Sequence, residues 1–236
     1  MQIPENDPRI RAENVTFKGG SGEVKGYLVR PANAARAPAV VIIHENKGLA
    51  PYVKDVARRA AAQGFIALAP DFLSQVGGTP QDEAEGPEKT RTLDMAKTKQ
   101  DAIAAAEYLR THSGSNGKVG SIGFCWGGAL SNQLAVNDLK LDAAVVFYGR
   151  SPATEDVAKI RAKMLLHYGS LDENINKTVP AYEAALKAQG KSYTLNMYEG
   201  AQHAFHNNDN PSRHHPENAA LAWDRTMAFL KDTLAA

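Results

Sequence analysis

The chain has 236 residues, 43% hydrophobic and 22% charged, enough for one α/β unit with a substantial core. Its 27 lysines and arginines nearly balance 26 aspartates and glutamates, so no net field recruits nucleic acid or an anionic membrane. A single cysteine excludes an internal disulfide, and no apolar run approaches the ~18 residues of a membrane span.

Met1 to Ile10 is polar and lacks the basic-then-apolar pattern of an export signal. The expectation is a soluble chain, cytoplasmic by default and periplasmic or secreted if a signal was removed. Residues 1–24 read as an N-terminal extension with the first strand, and residues 25–236 as a single domain. Gly26 to Pro31 and Ala39 to Ile43 read as strands, the second continuous enough to be buried on both faces. Pro51 to Gln63 has helical spacing, proline in its first turn and Gly64 after it. Phe65 to Ala69 is the next strand. Gly77 to Lys89, rich in Gly, Pro, Asp and Glu, reads as a solvated loop, with a lid as the alternative. Leu93 to Leu109 is a long helix, and Lys118 to Phe124 a short strand leading to Cys125. Then follow a strand Ala143 to Tyr148, a short helix Thr154 to Ile160, a strand Met164 to Tyr168, a helix Lys177 to Gln189, a strand Tyr193 to Tyr198 and a helix Pro216 to Leu234. This alternation predicts an α/β fold, a mostly parallel sheet with helices on both faces, whose chemistry collects at the carboxyl ends of the strands.

Gly123-Phe124-Cys125-Trp126-Gly127-Gly128 puts the cysteine on a strand-to-helix bend framed by glycines, where backbone passes too close for a Cβ. Most free cysteines are small buried hydrophobes, but one of those needs no such frame. A thiol nucleophile needs an orienting acid and a base, in that order along the chain. Asp172 lies just past the strand ending at Tyr168, and His203 in the loop after the strand ending at Tyr198. Taken alone, Asp172 is a helix-capping aspartate before Asn176. With His203 it can fix an imidazole tautomer and stabilise the imidazolium. The backbone N–H groups of Trp126 and Asn46 are the expected oxyanion donors. His44, His112 and His167 do not follow an acid in this order. His203, His206, His214 and His215 are too interrupted by Gly, Asn and Pro for a metal site and read as solvated loop residues. No metal is expected, and no cofactor either, since no dinucleotide or phosphate-loop fingerprint occurs.

The chain resembles the dienelactone hydrolase family of the α/β-hydrolase superfamily. The resemblance lies in Val41-Ile42-Ile43-His44-Glu45-Asn46-Lys47-Gly48-Leu49, Ala69-Pro70-Asp71, the cysteine bend, Tyr148-Gly149, Asp172 and Gly200-Ala201-Gln202-His203-Ala204-Phe205, and runs over roughly residues 25 to 233. It implies the α/β-hydrolase fold, a Cys125, Asp172 and His203 triad, and a role for Glu45, which in relatives keeps the resting thiol protonated and takes its proton when substrate binds. Such masking protects the sulfur from oxidation. One position departs from the family. Where an arginine four residues after the triad histidine holds the substrate carboxylate, this chain has Asn207, leaving Arg91 or Arg213 as substitutes. The implied activity is cysteine-dependent hydrolysis of a small-molecule ester or lactone through an acyl thioester. An amidase or other hydrolase on the same residues, or a catalytically silent binding protein, are the alternatives. Oligomeric state is open.

Overall fold

A computed structural model describes residues 2–235. Among these residues eight strands form one sheet: β1 (Ile10–Gly19), β2 (Gly22–Pro31), β3 (Ala37–Ile43), β4 (Ile66–Pro70), β5 (Ser115–Phe124), β6 (Ala143–Phe147), β7 (Lys163–Gly169) and β8 (Tyr193–Tyr198), in the order β1-β2-β4-β3-β5-β6-β7-β8. β1 and β2 are an antiparallel hairpin paired over ten positions, and β2 runs antiparallel to β4. From β4 to β8 all neighbours are parallel, so their carboxyl ends share one edge. The helices are α1 (Pro51–Ala62), α2 (Gly86–Arg91), α3 (Met95–Arg110), α4 (Trp126–Asn137), α5 (Glu173–Asn176), α6 (Val179–Ala188) and α7 (Pro216–Thr233). None is long and apolar enough to cross a membrane among the described residues.

The period of two along β3 divides its side chains between two cores. Val41 and Ile43 face a cluster with Leu109 of α3, Leu134 of α4 and Leu186 of α6. Val40 and Ile42 face the other, with Val56 of α1 and Met227 of α7. Helices therefore cover both faces, the layering that the alternation predicts.

Local signals set the ends. Pro51 opens α1, and Asp94 caps α3 by accepting from Ala96 N and Lys97 N, which starts that helix two residues later than its apolar pattern does. β5 begins at Ser115 rather than Lys118 because Ser115 pairs with Ala37 across a register shift. Gly77 to Lys89 is not an unstructured loop. It holds a 3-10 turn and most of α2, with Thr79 Oγ1 bonded to Asp71 Oδ1 (2.8 Å) and Lys89 Nζ to Gly78 O (3.1 Å). Just beyond it, Thr90 Oγ1 donates to Asn46 O (2.7 Å), which ties α2 to the loop after β3.

Candidate active site

Cys125 sits between β5 and α4 with φ 58° and ψ −117°, a left-handed value that costs an L-residue energy and persists only under close packing. Its N–H donates to Phe147 O (3.0 Å), and its carbonyl accepts from Gly128 N (2.9 Å) and Ala129 N (3.1 Å). The framing glycines are obligatory. A Cβ on Gly123 would run into the Gly127 carbonyl, and one on Gly127 into the carbonyls of Ile43 and His44. So β3, β5 and α4 meet at the bend and hold the sulfur above the sheet edge.

The loops after β7 and β8 bring up its partners. Gly169 pairs with Tyr198, Ser170 N bonds to Tyr198 O (2.9 Å) and Leu171 N to Ala201 O (3.0 Å), so the two loops are laced together before they diverge. His203 Nε2 lies 3.0 Å from Cys125 Sγ, and its Nδ1 lies 2.5 Å from Asp172 Oδ2. The buried Asp172 also caps α5, its Oδ1 accepting a long bond from Ile175 N (3.4 Å). Each oxygen of this aspartate thus has its own contact, Oδ2 with His203 and Oδ1 with the start of α5. Burial favours the neutral imidazole, yet hydrogen bonds to Asp172 and then to Cys125 overcome it and push the His203 pKa up to about 10. The ring thus lies between the Asp172 carboxyl and the Cys125 sulfur, contacts that favour its charged form.

Glu45, 9% exposed, accepts from Asn207 Nδ2 (2.6 Å), and burial pushes its carboxyl above the ordinary range. Among the described residues it makes no hydrogen bond to Cys125, whose sulfur is turned to His203. Asn207 faces this carboxylate and does not line the cavity over the sulfur. That cavity, about 970 Å³, is bordered by Asn46, Trp126, Arg91 and Arg213 among others, so the oxyanion candidates and both candidate arginines do meet at it. Trp126 is the first residue of α4, where N–H groups have no intrahelical acceptor.

The sequence reading misplaces one histidine. His206 is not solvated: it is 2% exposed, its Nδ1 lies 2.5 Å from the Tyr52 hydroxyl and its ring stacks on Phe124. Burial holds it well below its ordinary pKa. Ala204, at φ 67°, reverses the chain after His203 and sends the following residues inward. The apolar pair Ala204-Phe205, both buried, was the available signal. His214 and His215 stay near the surface, and His215 caps α7. Two further residues at the site were given no role by the sequence reading, although Tyr148 belongs to the Tyr148-Gly149 pair. Arg150 lines the cavity, and Tyr148, at φ 39°, packs edge-on against the His203 ring with its buried hydroxyl unpartnered among the described residues.

A sequence model of the dienelactone hydrolase family matches residues 24–234. The chain belongs to the dienelactone hydrolase family. It is a hydrolase of ester and lactone bonds with the α/β-hydrolase fold. Among dienelactone hydrolase relatives, a protein of Saccharolobus solfataricus provisionally named carboxymethylenebutenolidase is 31% identical, with 93% of this chain and 98% of the relative covered. A Bradyrhizobium protein provisionally named 2-oxo-3-(5-oxofuran-2-ylidene)propanoate lactonase is 33% identical over 90% of this chain and 91% of its own. A crystal structure from Klebsiella pneumoniae, provisionally assigned as a dienelactone hydrolase, superposes with a TM-score of 0.85 at 27% identity, covering 93% of this chain and 97% of that one.

Proposed function

We propose that Cys125 opens ester and lactone bonds through an acyl thioester, with His203 carrying the proton and Asp172 orienting and charging His203. The observation that carries this reading is the 3.0 Å approach of Nε2 to Sγ, with Nδ1 held by Asp172 on the other side of the ring. The thiolate attacks the carbonyl carbon, forming the C–S bond and placing negative charge on oxygen between the Trp126 and Asn46 N–H groups. Collapse breaks the C–O bond, and the departing oxygen takes the proton from His203. In a lactone that oxygen stays tethered to the acyl group. Neutral His203 then draws a proton from water as the water oxygen attacks the thioester. The C–S bond breaks, the acid product gives its proton to solvent and leaves as the carboxylate, and the Cys125 sulfur and protonated His203 are freed for the next turnover. Rapid acid quench during turnover of a p-nitrophenyl ester should reveal the acyl mass on the peptide containing Cys125. An unmodified Cys125 through a burst of product would end this account.

The protonation state supplies a second test. The folded-state pKa of His203 is raised from 6.5 to about 10, so the form able to protonate the leaving oxygen prevails through neutrality and is lost only as pH climbs through about 10. The expected kcat/KM profile is level from pH 7 to 9 and falls above about 10. A rise of tenfold or more between pH 6 and 7.5 would mean that the resting ring is neutral. The linkage has the same sign: the pair's contribution to stability is full below 6.5 and disappears as pH passes through about 10.

The relatives are named for lactones that carry a carboxylate. In this chain Arg150 and Arg213 border the cavity without an ion-pair partner among the described residues, whereas Arg91 pairs with Glu88 (2.9 Å). Of the acidic groups there, Asp172 is matched by His203, leaving Glu173. An anionic substrate end is therefore assigned to Arg150 and Arg213, in place of the family arginine that Asn207 replaces. Arg213→Ala should raise KM for a carboxylate-bearing lactone about tenfold, the scale of one charge-assisted hydrogen bond, and change KM for phenyl acetate by less than twofold. Equal effects on both substrates would remove Arg213 from this role.

A further inference from the structure

The cleft over Cys125 lies at the upper end of the ~300–1,000 Å³ range usual for small-molecule sites. Its volume of about 970 Å³ would otherwise hold on the order of thirty waters. Five large apolar side chains are exposed among the described residues, and two of them, Leu171 at 56% and Met95 at 41%, border this one cleft. Scattered exposed leucines are ordinary. These two are not scattered, and both stand on backbone that is firmly held. Leu171, next to Asp172, donates its N–H to Ala201 O (3.0 Å) and accepts from Glu173 N (3.2 Å). Met95 opens α3 directly after its cap, and Asp94 N is itself bonded to Gln75 Oε1 (2.7 Å). Leu171 follows β7, on one side of β5. Met95 ends the segment tied through Thr90 to Asn46 after β3, on the other side. Two apolar residues on firmly held backbone thus border the cleft from opposite sides of β5, with Trp126 and Ile175 also lining it.

We propose that the substrate is an ester or lactone bearing an apolar chain or ring of about six carbons or more, seated between Met95 and Leu171. This rests on ester cleavage at Cys125 and adds the selection of the substrate's body. A longer apolar group covers more of these side chains and displaces more of the water against them. Full burial of a methylene corresponds to about a fourfold gain, and partial cover in an open cleft to about twofold.

The test is the slope of kcat/KM with acyl length, measured on p-nitrophenyl acetate, butyrate, hexanoate and octanoate below their aggregation limits. The expected result is a rise of at least about tenfold from acetate to octanoate, flattened to less than about threefold by Leu171→Ser or Met95→Ser. Leu139→Ser, which removes an equally exposed leucine outside the cleft, should keep the wild-type slope. A wild-type slope that is flat or falls with length, or one that survives both cleft substitutions, overturns the inference while leaving ester cleavage intact. Failure to hydrolyse any member of the series, acetate included, overturns the ester-cleavage reading and this inference with it.

Discussion

Cys125→Ala should lower kcat/KM for any accepted ester or lactone by about 10⁴-fold or more, with little change in thermal midpoint. The size of the effect follows from removing the atom that forms the covalent bond. What is left, a cleft, two N–H donors and a charged imidazole, can still orient water weakly, and such remnants retain a residual acceleration of about 10³ over water. Stability should hold because alanine keeps the Cβ and meets the same unfavourable φ of 58°, while the substitution gives up only the sulfur of a partly buried residue. Cys125→Ser separates chemistry from shape. Its oxygen is a far weaker acid than a thiol, so His203 must act as a neutral base, yet Asp172 still favours the cation. About 10²-fold or greater loss is expected, with activity rising toward alkaline pH rather than level. An alanine variant within tenfold of wild type would remove the sulfur from the reaction altogether.

Asp172→Asn should cost about 10³-fold in kcat, and its accompanying pH signature distinguishes electrostatics from geometry. Asparagine can still accept from Ile175 N and is as good a helix cap as aspartate, so α5 stays capped. It cannot supply the negative charge that opposes burial in raising the His203 pKa, so the alkaline limb should move down from about 10 toward 6.5. Asp172→Ala should lose the cap as well, costing a further ~1 kcal/mol of stability, less if the long 3.4 Å bond is weak. A limb unmoved in the asparagine variant, with kcat within tenfold of wild type, would leave Asp172 as a cap only.

The two cores on either side of β3 follow from Val40 to Ile43 being apolar without a break, which the sequence displays directly. The glycine-framed bend at Cys125 was equally legible, because glycine is the one residue able to sit where Gly123 and Gly127 do, and its spacing records backbone contacts made across the fold. His206 was not. Its surroundings of Asn, Gly and Pro describe a surface loop, and only the reversal at Ala204 and the bond to Tyr52, 154 positions away, make it a core residue. Asn207 shows the same limit from the opposite direction. Alignment by position suggests a substrate contact, whereas its amide is spent on the Glu45 carboxylate 162 positions away.

The sequence by itself determined which chemical groups this protein owns and their order along strand ends: Glu45, Cys125, Asp172, His203. Periodicity, caps and glycine frames are local properties, written within a few residues of where they act. Only the tertiary structure decided which way each side chain turns, so that the sulfur faces His203, Glu45 faces Asn207, and Met95 and Leu171 stand over one cleft. Those pairings depend on hydrogen bonds of ~3 Å between segments far apart in the chain, and no local pattern encodes a distance that the packing of the whole sheet sets.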